Sequence, residues 1–183
     1  MLVYHSHFAG LLVHLTLACV LAIAVVTDVS KRKIYNWLTF PAIAAGFVLN
    51  SVLLGGHGTL ESLAGFAIGS IWMILLIVPG SSAGDVKLFW AVGAFMGFKF
   101  TLWAMLCSVL CGAVHGVVYA MHKGQLSYTI KNALVGGHVL VATKDGETLK
   151  GMASTSKVGK IPSAPYIALG CVIAAYLILR GVV

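Results

Sequence analysis

The sequence predicts an all-α fold, a polytopic transmembrane bundle of about six spans, and three observations carry that expectation. Of 183 residues, 60% are hydrophobic and only 9% are charged, with a mean hydropathy of +0.99. A soluble domain carries about 25% charged residues, so this chain has too few polar side chains to cover a water-facing surface. Next, the apolar residues fall into runs, and a helix crossing a bilayer needs about 20 of them at 1.5 Å rise per residue. Last, the charges gather between the runs, where a membrane protein keeps them.

The first expected span is Ala9–Thr27. A secretory signal has a basic n-region and a shorter apolar core. Residues 1–9 contain no Lys or Arg, and Lys31-Arg32-Lys33 follows the run instead. The run is therefore read as a retained helix. The second span is Trp37–Leu54, with Pro41 near its start, where a missing N–H is tolerated. The third is Leu63–Val78, stopped by Pro79-Gly80. The fourth, Val86–Phe98, covers only about 20 Å at helical rise and is the shortest. Thr101–Met121 and Ala164–Leu179 complete the set. Residues 1–183 form one membrane-embedded domain, with 122–162 a loop inside it. Asn132–Ala142 within that loop is apolar but too short to span, and fits either a surface-lying segment or plain loop.

Alternating the loops places ten of the twelve Lys and Arg residues on one side, leaving Lys99 and Arg180 on the other. Positive charge stays inside, so the ten-residue side is cytoplasmic and the N-terminus lies outside. The net charge of +7 is distributed by topology rather than as a basic stripe interleaved with aromatics, and nucleic acid is not an expected partner. Cys19, Cys107, Cys111 and Cys171 lie in apolar runs without Cys-x-x-Cys or zinc spacing. They read as small packing thiols, and no metal or cofactor is expected.

The chain has five acidic residues, Asp28, Glu61, Asp85, Asp145 and Glu147. Asp28 and Asp85 stand at the cytoplasmic ends of apolar runs, where a carboxylate is costly and reads as functional. Taken singly, each has a plain structural reading: Asp85 as an N-cap, Asp28 as a cap or a screen for the lysines beside it. Glu61 reads as a cap of the third span. Together, two carboxylates at one depth suit acid–base chemistry. Facing carboxylates share a proton, one activating water and the other protonating a carbonyl. That is aspartyl-protease chemistry.

The surrounding residues carry a resemblance. Ser82-Ala83-Gly84-Asp85-Val86-Lys87-Leu88 resembles the Gly-x-Gly-Asp-Val-Lys-Leu motif of type IV prepilin peptidases. Asp28 through Asn36 resembles their first motif, an Asp followed by Ile-Pro-Asn. Lys160 through Gly170 resembles the segment entering their last helix. The resemblance implies that Asp28 and Asp85 are catalytic, with Ser82, Gly84, Lys87 and Asn36 as supporting motif residues. It implies a prepilin substrate, cut at the cytoplasmic face of the bacterial inner membrane between a basic leader and a hydrophobic helix. Larger members also N-methylate the new terminus through a domain with paired Cys-x-x-Cys. This chain resembles the short, peptidase-only branch acting on Flp-type pilins. Two positions depart from the pattern: Ser82 replaces the first Gly, and Tyr35 replaces Pro.

Two rival readings are open. Membrane acids also relay protons or bind cations in transporters and channels. The altered Ser82 alone motivates the other, an inactive pilus-assembly subunit that binds prepilin without cutting it. Lys87, offset by two residues from Asp85, is expected to point away from it on a helix. His14 and His115 are expected as interhelical hydrogen-bonders.

Overall fold

A computed structural model describes residues 2–75, 83–122 and 162–181. Four helices account for nearly all of them: α1 (Leu2–Lys31), α2 (Asn36–Leu75), α3 (Ala83–His122) and α4 (Ala164–Leu179). No strand occurs among the described residues. α1, α2 and α3 are each long and apolar enough to cross a membrane, and α4 is apolar but shorter, at 16 residues.

Neither α2 nor α3 is straight. Gly55 in α2 has φ 63° and ψ −148°, and Gly97 in α3 has φ 75° and ψ −171°. Positive φ is the region only glycine enters without steric cost. At both points the chain turns back on itself. The rings of Phe47 and Phe66 have centroids 5.9 Å apart, whereas a straight helix would separate them by roughly 28 Å. Ser51 and Thr59 hydrogen-bond at 2.8 Å across the same bend. A Cβ on Gly58 would collide with the Asn50 carbonyl, so the hairpin closes tightly there. In α3, Asp85 touches Ser163 while His115 touches Tyr166. Those two α3 residues would be roughly 45 Å apart on a straight helix. The described residues thus form six helical limbs.

The third run was expected to begin at Leu63, but the second limb of α2 starts just after Gly55. Glu61 is consequently no cap. It lies on that limb with Oε2 against Gly97. α3 likewise begins at Ala83, ahead of Asp85. Asp85 is therefore in the first turn rather than at the cap.

The first limb of α3 is the centre of the bundle. Leu88, Phe89, Ala91, Val92 and Ala94 are fully buried and Phe95 nearly so. A helix enclosed on every side needs no polar face, which accounts for the continuous apolar run there. α2 and α3 share the most extensive interface. It is built on Gly65 and Gly69 facing Gly93 and Phe89: a Cβ on Gly65 would strike the Gly93 carbonyl, and one on Gly93 the Gly65 carbonyl. Small residues four apart let helix backbones approach in this way.

Where α3 breaks at Gly97, carbonyls at the end of its first limb lose helical partners, as at any helix C-terminus. Asn50 Nδ2 donates to the carbonyls of Ala94 at 2.9 Å and Phe95 at 3.0 Å. Ser62 Oγ donates to Ala94 at 2.7 Å, and Asn50 donates to Ser62 at 2.8 Å. Asn50 and Ser62 are both buried. In hydrocarbon such groups have no water to turn to.

The outer surface is apolar. Val26, Val48, Val52, Leu110, Val114, Val172 and Leu179 are all exposed. A water-soluble monomer rarely shows so much contiguous apolar surface, and lipid is its fitting solvent. The fold is that of an integral membrane protein.

Candidate active site

The end of α1 is shaped by its last turn. Lys31 lies there, where a cation complements the negative end of the helix dipole. Arg32 N–H donates to the Asp28 carbonyl at 2.7 Å, and Arg32 itself takes φ 51°. That left-handed residue ends the helix. Tyr35 then opens α2: its carbonyl accepts from Leu38 and Thr39 N–H, both at 3.2 Å. The Lys31 and Lys33 ammonium groups lie 5.9 and 5.8 Å from the Tyr35 ring centroid. Tyr35, in the place of a proline, thus offers a π face to the basic cluster.

Asp28 and Asp85 are buried, at 5% and 3% exposure. A polar group withdrawn from water needs partners. Ala164 N–H donates to Asp28 Oδ2 at 2.9 Å. Ser163 Oγ donates to Asp85 Oδ1. The two carboxylates, one from the end of α1 and one from the start of α3, therefore bind neighbouring residues at the start of α4. Consecutive Cα atoms are only about 3.8 Å apart. The plain structural reading of Asp28 is a local cap or charge screen, but its Oδ2 accepts the first N–H of a distant helix.

Lys87 is directed elsewhere. Its Nζ donates to Asn36 Oδ1 at 2.8 Å and lies 5.3 Å from the Phe40 ring centroid. Two motif-supporting residues thus meet each other, tying the start of α3 to the start of α2. Gly84 sits in the first turn of α3 beside Asp85. Ser82 lies outside the described residues, as do the loop lysines from Lys123 to Lys160 and the segment Asn132–Ala142.

His115 Nδ1 and Tyr166 Oη are 2.8 Å apart, an interhelical pair one turn along α4 from the aspartates. His14 departs from expectation by bonding Gly10 of its own helix, at 2.6 Å. Among the cysteines, Cys107 and Cys171 are buried, Cys111 is half-buried and Cys19 is exposed.

Sequence reasoning gave no role to Ser163 or Ala164, although both lie in the segment quoted for the resemblance. A signal was present: Ser followed two residues later by Pro165 marks a helix start. It named the helix boundary but not what that boundary touches.

A family model described as the type IV leader peptidase family matches residues 15–117, more than half of the chain. The chain belongs to that family. Both motif aspartates fall inside the matched region. Among curated proteins, one described as "Prepilin leader peptidase/N-methyltransferase" from Aeromonas salmonicida (strain A449) is 31% identical over 117 residues, 59% of this chain and 40% of the relative. A protein of the same description from Aeromonas hydrophila is 32% identical over the same shares. The chain thus spans 40% of the length of these leader peptidase relatives. No solved structure matches it.

Proposed function

We propose that this leader peptidase family member is a membrane aspartyl endopeptidase that removes the leader of type IV prepilins. The observation that carries the reading is the convergence of two buried carboxylates, Asp28 and Asp85, on the consecutive residues Ala164 and Ser163 at the start of α4. In the proposed reaction one carboxylate takes a proton from water as it attacks the scissile carbonyl. The other donates a proton to the carbonyl oxygen, and then one is returned to the leaving amine. The peptide C–N bond breaks, and water supplies the hydroxyl and the proton of the two new termini. Neither a metal nor a covalent intermediate is required.

The topology that suits this chemistry has six crossings, with the N-terminus outside and both aspartates at the cytoplasmic face of the bacterial inner membrane. The basic residues Lys31, Arg32, Lys33 and Lys87 share that end with the aspartates, as the positive-inside rule asks. The six limbs and their reversals at Gly55 and Gly97 support the count. A prepilin offers a basic leader followed by a hydrophobic helix, and the exposed apolar flanks of the bundle suit a substrate that approaches through lipid. We take Flp-type prepilins as the substrate class, on the motif resemblance.

The test is direct. The purified protein, reconstituted in liposomes with a Flp-type prepilin, is expected to release the leader, and sequencing of the new N-terminus gives the cut site. An intact prepilin after prolonged incubation, or proton flux across the liposomes without cleavage, overturns the reading.

A further inference from the structure

At the start of α4 a serine is in the capping position but does not cap. Ser163 precedes Ala164 and makes no side-chain hydrogen bond to its own helix. A serine at this position ordinarily accepts from the N–H of the second or third helical residue. Here the second is Pro165, which has no N–H. The third, Tyr166, gives its N–H to the Ser163 carbonyl at 3.0 Å. The first, Ala164, gives its N–H to Asp28 at 2.9 Å. Every N–H in the first turn of α4 is thus absent or taken, and the Ser163 hydroxyl donates to Asp85 instead.

We propose that Ser163 is a positioning residue, whose hydroxyl fixes the orientation of the Asp85 carboxylate against Asp28 for proton transfer. This rests on the aspartyl-peptidase reading above. The two carboxylates are held differently. Asp28 is held by a main-chain N–H, a donor that every substitution except proline leaves in place. Asp85 Oδ1 accepts from a side-chain hydroxyl carried by a segment 78 residues away. Asp85 Oδ1 is one end of a short lever: rotation about the Cβ–Cγ bond swings it out of line with the reacting carbonyl. A donor from the residue that enters α4 favours one rotation of the carboxylate. α4 thereby completes the catalytic geometry while contributing no acid or base of its own.

The experiment compares wild type, S163A and S163T, reconstituted with the same Flp-type prepilin, with kcat, KM and thermal midpoint measured for each. S163A should lose at least ~10-fold in kcat while KM stays within ~2-fold, because misaligned reacting groups cost rate rather than binding. S163T, which keeps the hydroxyl, should recover to within ~3-fold of wild type by the same argument. No helix cap is lost in S163A, but a buried carboxylate loses a donor, so its thermal midpoint should fall modestly and kcat is counted per folded protein. Wild-type kcat in S163A overturns the positioning role, as does failure of a folded S163T to recover. So does a loss in S163A that is fully explained by a lower folded fraction. A wild-type protein that leaves the prepilin uncut overturns the peptidase reading itself, and the positioning role with it.

Discussion

Asp28 accepts the backbone N–H of Ala164 at 2.9 Å across 136 residues of chain. One contact thus joins the end of α1 to the start of α4. Next to it, Ser163 joins the same point to Asp85 at the start of α3. Three helix termini from distant parts of the sequence are gathered on two consecutive residues, and the carboxylates are the gathering points.

If those carboxylates carry out the proton transfers, each is needed separately. Asp28→Asn and Asp85→Asn keep the shape and the acceptor oxygen but remove the acid–base function. Each is expected to lower cleavage by at least ~10²-fold, the usual minimum contribution of a positioned acid or base. Protein level in the membrane should be unchanged. Mass spectrometry of a co-expressed prepilin measures the first, immunoblotting the second. Full cleavage by either variant would exclude the two-aspartate mechanism.

The glycine interface makes a stability prediction. Gly65→Ala puts a methyl group into the Gly93 carbonyl, with backbone on both sides. The helices must separate, at a cost of about 1–3 kcal/mol for overpacking. Gly112→Ala, where nothing lies within 4 Å, should be neutral or slightly stabilising. Thermal aggregation midpoints in detergent compare the two, and equal midpoints would rule out the close packing.

The reversal at Gly97 is doubly constrained. Any side chain there must adopt φ near 75° and would also press on the Glu61 carboxylate, 2.8 Å from the Cβ position. Gly97→Ala should cost about 1–3 kcal/mol from the glycine-only backbone conformation alone, φ 75° and ψ −171°. Gly55→Ala shares the positive φ but meets nothing within 4 Å. It should be the milder of the two in the same thermal assay.

Asn50 and Ser62 serve the carbonyls freed by the Gly97 break. Asn50→Leu leaves Ala94 O with Ser62 alone and removes the side-chain donor to Phe95 O. A buried polar group losing its partner costs about 1–3 kcal/mol. The expected result is a lower unfolding midpoint in a mild-detergent denaturation series, while Asn50→Asp should be still worse, because it brings a charge without a donor.

Topology can be checked by chemistry at the bends. In a cysteine-free background, Gly56→Cys should react with an impermeant maleimide added to intact spheroplasts. Lys33→Cys should react only after the membrane is opened. The reverse pattern would invert the orientation.

The runs of apolar residues were readable because a membrane helix announces itself by composition, and α4 begins and ends where its run does. The third run was not placed so well. Leu60 and Glu61 interrupt no helix, and the limb reaches back to Gly55, because a helix hairpin held by Ser51–Thr59 and Asn50–Ser62 contacts tolerates polar residues at its closed end. Asp85 was readable as an odd residue, since a chain with five acids has few to choose from. Its hydroxyl partner was not. Ser163 carries a capping signature, and the signature is silent about which distant group takes the hydroxyl once Pro165 has withdrawn the local donor.

By itself, the sequence determined the solvent, the helical class, the runs and the two acids worth watching, because those follow from transfer energies and spacing along one chain. Only the tertiary structure decided where α2 and α3 fold back, that Gly65 lies on Gly93, that Lys87 goes to Asn36, and that Asp28 and Asp85 bind the consecutive residues Ala164 and Ser163. Those contacts depend on helix ends brought together through space. Burial enforces the aspartate contacts, since a carboxylate withdrawn from water must find a donor within the protein.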